Sequence, residues 1–356
     1  MIEKHHEILI QPMSDAHRSM ISGGRAFVSI IMPVFDRGYL IPGAFENVCQ
    51  QIYRPIELIV VDDGSKESML EIVKKEAQAC DFQIRYIRQE NRGPGMARQT
   101  GLDAAQGQLI QYLDSDDRIS PTKLEKQVSL LLVNPEASLC YCRCEWIDLE
   151  TGKNLGIYAQ SNTCVDRILP AVLQGRYWQT SAPLWNYHGD KKEVWTHYYH
   201  GEDWLHSVFQ GIRNRPVVYV PESLVQIGVL SSGRVSQIES SDQWKRYYLF
   251  YFEQLEKICK VFGEKGLLRN SEIAEPLAER YFANGLSLLA ARCDQEAFSS
   301  LGTAKNLSCF KKVAFEVFIT KCFYAIFKKF GRSGASVASR LHHLLWPSSR
   351  HWNRGL

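Results

Sequence analysis

No stretch of about 18 uninterrupted apolar residues occurs in this chain of 356, so a membrane-spanning helix is not expected. The nearest candidate, Val313–Phe327, is short and carries Glu316 and Lys321. The first residues, MIEKHHEILIQPMSD, lack a positive region followed by a long apolar one, so no secretory leader is expected. Ten cysteines are present, but without the spacing of a secreted disulfide framework, and reduced, cytosolic thiols are the expectation. Cys140, Cys142 and Cys144 alternate along a predicted strand and share a face, yet no partner pair stands at zinc spacing. His188, His197, His200 and His206 match no zinc signature either, and surface or packing roles are expected for them. Internal repeats are absent, and ordinary aromatic (11%) and charged (23%) fractions exclude disorder, collagen and coiled coil as the dominant character.

What is present is a charge asymmetry. From Ala297 to Leu356 six Lys and four Arg face one acid, Glu316, giving 10 − 1 = +9. The net charge is +3, so the other residues carry 3 − 9 = −6. A basic tail on an acidic body suits nucleic acid or an anionic membrane surface. At roughly 150 residues per domain, the length suggests about two domains.

The pattern along the chain is that of an α/β domain with a mainly parallel sheet. Residues 1–24 show no clear periodicity and read as an N-terminal arm. Apolar runs at Phe27–Phe35, Glu57–Val61, Gln83–Ile87 and Leu109–Leu113 predict buried strands, alternating with helical spacing over 39–51, 67–80 and 95–105. A helix over Leu124–Val133, a strand over Ser138–Trp146, a helix from Glu202 to Gly211 and a strand near Val217–Val220 follow. Residues 151–200, rich in Trp, Tyr, His and Gly, yield no clear assignment. Beyond about residue 240 the pattern becomes long helices. The chain therefore divides into an arm (1–24), an α/β domain (25–238) and a helical region with a basic tail (239–356).

Acidic clusters follow three of the predicted strands: Asp36-Arg37, Asp62-Asp63-Gly64-Ser65 and Asp114-Ser115-Asp116-Asp117. In parallel sheets ligands sit beyond the carboxyl ends of the strands, so these clusters share one rim. Asp114 and Asp116, two apart in a turn, are hard oxygen donors that suit Mg²⁺ or Mn²⁺ bridging phosphate oxygens. Taken alone, such a pair is more often a solvated turn, and Asp62-Asp63-Gly64-Ser65 is equally readable as a strand end with a helix cap. Arg98, near the start of a helix after Gly93-Pro94-Gly95, suits phosphate through its guanidinium fork.

Together, FVSIIMPVFDR, ELIVVDDGS, ENRGPGMARQTGL and YLDSDD, in that order, resemble the inverting glycosyltransferase family 2. The resemblance covers about residues 25–235. It implies a GT-A fold, which is Rossmann-like, and a nucleotide-diphospho sugar donor, with a UDP-sugar favoured. It also implies that Pro33, Val34, Asp36, Asp62 and Asp63 line the nucleoside site; Asp36 replaces the family's usual Asn. Arg98 and Ser115 join the donor site, although Gln99 replaces the Asn that usually follows the Arg. Asp116 is implied as the direct metal ligand, with Asp114 also a ligand and nearer the ribose. The pair Glu202-Asp203 in HGEDW matches the family's base position, with Asp203 as general base and Glu202 as orienter or second choice.

Gln210-Gly211-Ile212-Arg213 is followed by Asn214, which leaves the processive Q-x-x-R-W motif incomplete, so transfer of a single sugar is expected. The expected enzyme is a metal-dependent hexosyl- or N-acetylhexosaminyl-transferase of bacterial surface polysaccharide or glycoconjugate assembly. Its acceptor would be a glycan or lipid-linked hydroxyl, and its location cytoplasmic or peripheral on the inner face of the plasma membrane. Val313–Phe330 fits either a helix packed on its own domain or an interfacial helix on anionic lipid, and both readings stand. Nucleic acid is not expected as a partner. The rivals are a nucleotidyltransferase, for which Asp36-Arg37-Gly38 is a poor phosphate loop, and a non-enzymatic binder acting through the tail.

Overall fold

Two runs that are apolar on both faces build the centre of the first unit. In the computed structural model, which describes residues 6–190, 195–198, 200–229 and 240–308, they follow an edge strand, His6–Gln11 (β1), and a helix, Asp15–Ser22 (α1). They are the strands Val28–Val34 (β2) and Ile56–Asp62 (β3). Every residue of β3 is buried, as a strand covered on both faces must be. β2 lies parallel to β3 with Ile30 opposite Leu58 and Val34 opposite Asp62. Gln83–Arg88 (β4) adds in parallel to β3, and Leu109–Tyr112 (β5) to the other side of β2. Helices Ile41–Cys49 (α2), Met69–Ala77 (α3) and Pro94–Ala104 (α4) make the connections. Because β2, β3 and β5 run the same way, the turns that follow them converge on one rim.

Beyond β5 the sheet becomes mixed. Arg118–Ile119 (β6), helix Lys123–Val133 (α5), Leu139–Asp148 (β7) and Asn154–Ile157 (β8) come first. Helix Ala171–Gln174 (α6), strand Leu184–Asn186 (β9), helix Glu202–Gly211 (α7) and strand Val217–Val229 (β10) follow. The order is β1-β4-β3-β2-β5-β9-β7-β10-β6, with β8 on β7. β9 is antiparallel to both β5 and β7, while β7 and β10 are parallel. The result is a mixed α/β sheet with flanking helices. Cys140, Cys142 and Cys144 of β7 are all fully buried.

The first residues do more than form an arm. β1 pairs antiparallel with β4, His6 opposite Arg88, with an irregularity between Leu9 and Gln11. Leu9 remains 56% exposed, so this edge strand has a wet face and lacks the continuous apolar run that marks β2 and β3. Ser14 starts α1 by accepting a hydrogen bond from the N–H of His17 (3.3 Å).

The chain divides into two units, Met1–Ser232 and Gly233–Leu356. The described part of the second is helical: Ser241–Glu264 (α8), Ser271–Ala290 (α9) and Asp294–Leu307 (α10). A capping box between Ser240 and Gln243 opens α8. The Tyr281 hydroxyl donates to Glu256 Oε1 (2.8 Å), joining α9 to α8, and Ser300 Oγ donates to the Tyr281 carbonyl (2.7 Å), joining α10 to α9. Among the described residues no helix is long and apolar enough to cross a membrane. The basic segment Val313–Phe330 lies outside the described residues.

Candidate active site

The rim is assembled from loops that hold one another. Asp36, after β2, adopts a left-handed backbone (φ 48°) and clasps the loop after β3. Its N–H donates to Ser65 Oγ (3.0 Å), and its Oδ1 accepts from the Lys66 N–H (2.7 Å). Asp62 is wholly buried. Its Oδ1 accepts from the Ser65 N–H (2.8 Å), and its Oδ2 accepts from the Tyr86 hydroxyl (2.6 Å) and Arg88 Nη1 (2.5 Å). Asp63 accepts from Gln89 Nε2 (2.7 Å) and from the N–H groups of Arg92 and Gly93 (both 2.9 Å). Burial raises the Asp63 carboxyl above its ordinary value, and those three donors oppose the rise. Both carboxylates sit beneath the rim and shape its loops, next to half-buried Pro33 and buried Val34.

Arg98 joins the two halves of the site. Its Nη2 donates to Asp114 Oδ1 (2.7 Å) and its Nη1 to Glu202 Oε1 (2.9 Å). Burial would lower its pKa, but the two carboxylates outweigh that and hold it above the ordinary arginine value. The guanidinium carbon lies 4.9 Å from the Trp195 ring centre, and Trp195 stacks on His206 at 4.1 Å with planes 6° apart. A Cβ on Gly95 would stand 2.1 Å from the Thr196 carbonyl, so only glycine lets that segment cross the start of α4. His206 Nε2 pairs with the Tyr187 hydroxyl (2.7 Å), which pairs with that of Tyr112 (2.9 Å). Burial, aided by the charge of Arg98, drops His206 to about 3, so it stays neutral at physiological pH.

Glu202 and Asp203 open α7, where negative charge meets the helix N-terminus favourably. Their settings differ. Burial, then the neighbouring Asp203 charge, pushes Glu202 up to about 7 against the pull of Arg98. Asp203 is also buried, but Arg176 and Arg98 outweigh that cost and hold its carboxyl below the ordinary value. Arg176 Nη2 donates to Asp203 Oδ2, Thr180 Oγ1 donates to the same oxygen (3.3 Å), and the Trp204 N–H donates to Oδ1 (2.8 Å). Asp203 lines a partly open cavity walled by Tyr112, Tyr177, Trp178, Trp185, Trp195 and Trp204. Glu202 is not among its walls.

In the turn after β5, Asp116 Oδ2 accepts from Arg37 Nη1 (2.9 Å). Burial and the Asp114 charge raise the Asp116 carboxyl, and Arg37 opposes them. Asp117 points inward, accepting from Ser181 Oγ (2.6 Å) and the Gly228 N–H (3.0 Å). A Cβ on Gly228 would meet the Asp116 carbonyl at 2.0 Å, which is why β10 can pass behind this turn only with glycine there. Among the described residues no group of three or more His, Cys, Asp or Glu is arranged to hold a metal. Asp114 and Asp116, with half-buried Ser115 between them, supply two hard oxygen donors. That set fits Mg²⁺ or Mn²⁺, which complete their shells with water and phosphate oxygens.

The structure thus brings Arg98, Asp114, Asp116, Glu202 and Asp203 together on one side of the rim, and Asp36, Asp62 and Asp63 on the loops beside it. Sequence reading missed Arg176, Thr180 and Trp195, which lie in the region without a readable pattern, and the pairing of Arg37 with Asp116. Arg37 at least had a signal, its position directly after a strand.

Residues 29–169 match the family model described as Glycosyl transferase family 2. An uncharacterized glycosyltransferase of Haemophilus influenzae is 39% identical over 107 residues, 30% of this chain and 43% of that protein. Uncharacterized glycosyltransferase YibD of Escherichia coli is 27% identical over 192 residues, 54% of this chain and 49% of that protein. The chain therefore spans less than half the length of these curated relatives. Among solved structures, S. aureus TarS 1-349 in complex with UDP-GlcNAc aligns with a TM-score of 0.60 at 17% identity, covering 81% of this chain and 83% of that one. That likeness shows the fold. None of these findings favours nucleotidyl transfer. Four ordered motifs, a sheet whose turns gather them and a family model matched over residues 29–169 make this part of the chain similar to glycosyl transferase family 2, and the fold is the one seen in TarS.

Proposed function

We propose that this protein is an inverting glycosyltransferase that moves one sugar from a nucleotide-diphospho sugar to a hydroxyl acceptor in surface polysaccharide or glycoconjugate assembly. One observation carries the reading: Arg98 bridges Asp114 of the D-x-D turn to Glu202, whose neighbour Asp203 opens onto an aromatic cavity. Donor and acceptor would meet across that bridge. The acceptor ring packs on the aromatic walls, and Asp203, kept ionised by Arg176 and Arg98, accepts the proton of the attacking hydroxyl. The hydroxyl displaces Arg176 as hydrogen-bond partner of the carboxylate. Glu202 holds Arg98 in place. Asp36 and the loops pinned by Asp62 and Asp63, with Pro33 and Val34, cradle the nucleoside. Asp116 and Asp114 would hold Mg²⁺ or Mn²⁺, which when bound neutralises charge on the departing diphosphate.

The donor is a UDP-sugar on this reading. In the TarS complexes the bound species are UDP-GlcNAc and UDP, which belong to that protein. The +9 tail would keep the enzyme at an anionic inner membrane face, near a lipid-linked or glycan acceptor. The test is a thermal-shift screen of UDP-, GDP- and dTDP-sugars, each with and without Mn²⁺. Stabilisation by a UDP-sugar that needs Mn²⁺ and disappears in Asp116→Ala is expected. No stabilisation by any nucleotide sugar would overturn the proposal.

A further inference from the structure

We propose that Cys49 and Cys80 are a thiol–disulfide couple that reversibly ties the end of α2 to the turn after α3. Their Sγ atoms stand 2.7 Å apart, against about 2.05 Å for a disulfide bond, so closure needs only a small movement. Both thiols are half-buried, whereas Cys140, Cys142 and Cys144 are sealed in the core and Cys164 is exposed without a sulfur partner among the described residues. The backbone is held on each side of the pair. Arg54 Nη2 donates to the Cys49 carbonyl (3.3 Å) while the same guanidinium grips Asp81 beside Cys80 (2.8 Å). Gln11 Nε2 donates to the Cys80 carbonyl (2.6 Å). None of these residues belongs to the candidate active site, and the inference does not rest on glycosyl transfer.

The two thiols are unequal. The contact with Cys80, helped by Arg54 and opposed by burial, holds the Cys49 thiol below its usual range, while that same contact and burial push Cys80 up. Cys80 Sγ also has the Glu76 carbonyl to donate to (3.6 Å) and sits beside Asp81, whereas the Arg54 guanidinium reaches the Cys49 carbonyl, so Cys49 is assigned as the attacking thiolate and Cys80 as the resolving thiol. With a hydroperoxide as oxidant, Cys49 Sγ attacks the distal peroxide oxygen. The O–O bond breaks, hydroxide or alkoxide leaves, and a sulfenic acid forms. Cys80 Sγ then attacks the Cys49 sulfur, the S–O bond breaks and water departs. Overall two thiols give up two electrons and two protons, and the hydroperoxide becomes water and its alcohol, or two waters from hydrogen peroxide. A dithiol reductant reverses the bond.

The experiment treats the full chain with hydrogen peroxide, blocks remaining thiols and maps peptides by mass spectrometry. A linked peptide joining Cys49 to Cys80, lost on dithiothreitol treatment, is expected, with Cys164 oxidised only singly. In Cys80→Ser, dimedone should trap a sulfenic acid at Cys49; in Cys49→Ser, Cys80 should remain a blockable thiol. The wild-type map needs no variant to fold. Separate alkylation or over-oxidation of Cys49 and Cys80 with no linked peptide would overturn the couple. Trapping at Cys80 rather than Cys49 would overturn the assignment of the attacking thiol.

Discussion

The loops after β2 and β3 and the cavity beside α7 both collect carboxylates, and they treat them in opposite ways. Asp62 and Asp63 receive hydrogen bonds from backbone N–H groups of the loops and from the side chains of Tyr86, Arg88 and Gln89 at the end of β4. Such a carboxylate is architectural, because accepting a proton would release the loop it pins. Asp203 accepts one backbone N–H, that of Trp204, while its Oδ2 is held by Arg176, whose side chain is 36% exposed, and by a long contact from Thr180. Asp203, unlike wholly buried Asp62, lines a cavity, so it can exchange its arginine for a substrate hydroxyl. The acidic residues of the site therefore divide by what surrounds them.

The sharpest way to break this comparison is Asp203→Ala. Loss of transfer by about 10²–10⁴-fold is expected, the usual worth of general-base catalysis. The Mn²⁺-dependent thermal shift with nucleotide sugar should survive, since Asp203 lies on the cavity side of Arg98. Full turnover would refute its role as base. Asp63→Asn should behave the other way, lowering Tm and nucleotide response together.

Arg98 joins the two regions, and its removal tests whether they are one site. Arg98→Ala leaves Asp114 and Glu202 facing each other without their shared cation. Breaking a buried pair costs about 3–5 kcal/mol, read as a fall in Tm of roughly 10 °C for a domain of this size. Arg98→Lys should recover only part of it, because an ammonium cannot span two carboxylates as a fork does. An unchanged Tm in Arg98→Ala would mean the bridge is not formed in solution.

The same contrast explains what was legible beforehand. β2, β3 and β5 are apolar runs ended by aspartates, so sheet, rim and D-x-D turn could all be read from short segments. Glu202-Asp203 was legible as a pair opening a helix. The cavity was not. Arg176, Thr180 and Trp195 lie in irregular chain between short elements such as β9, three residues long, where no period of 2 or 3.6 can develop. β1 escaped for a related reason, since an edge strand with exposed Leu9 carries no two-faced apolar run.

A smaller effect is expected at the cavity wall. Tyr177 is half-buried there, so its truncation should spare the core. Tyr177→Ala should raise the acceptor KM about fivefold, for roughly 1 kcal/mol of lost aromatic contact, with kcat and donor response nearly unchanged. A fall in kcat at constant KM would move Tyr177 from binding the acceptor to positioning Asp203.

The smallest effect concerns Glu202 and pH. Its folded pKa, about 7, lies above the ordinary 4.5, because burial and the Asp203 charge disfavour its ionised form. Below 4.5 both folded and unfolded chains hold this proton, and Glu202 imposes no penalty. Between 4.5 and about 7 the unfolded chain releases the proton while the folded one keeps it, so this group's contribution to stability falls as pH rises through that window and levels off above it. Glu202→Gln removes the titration. Its Tm relative to wild type should therefore climb from pH 5 to pH 7, whereas the Asp203 carboxyl, held below its ordinary 3.8, is ionised in folded and unfolded chains alike across that window and adds no slope of its own. Parallel Tm profiles for wild type and Glu202→Gln would show that Arg98 keeps Glu202 ionised throughout, and the two acids would then differ only in which one the cavity reaches.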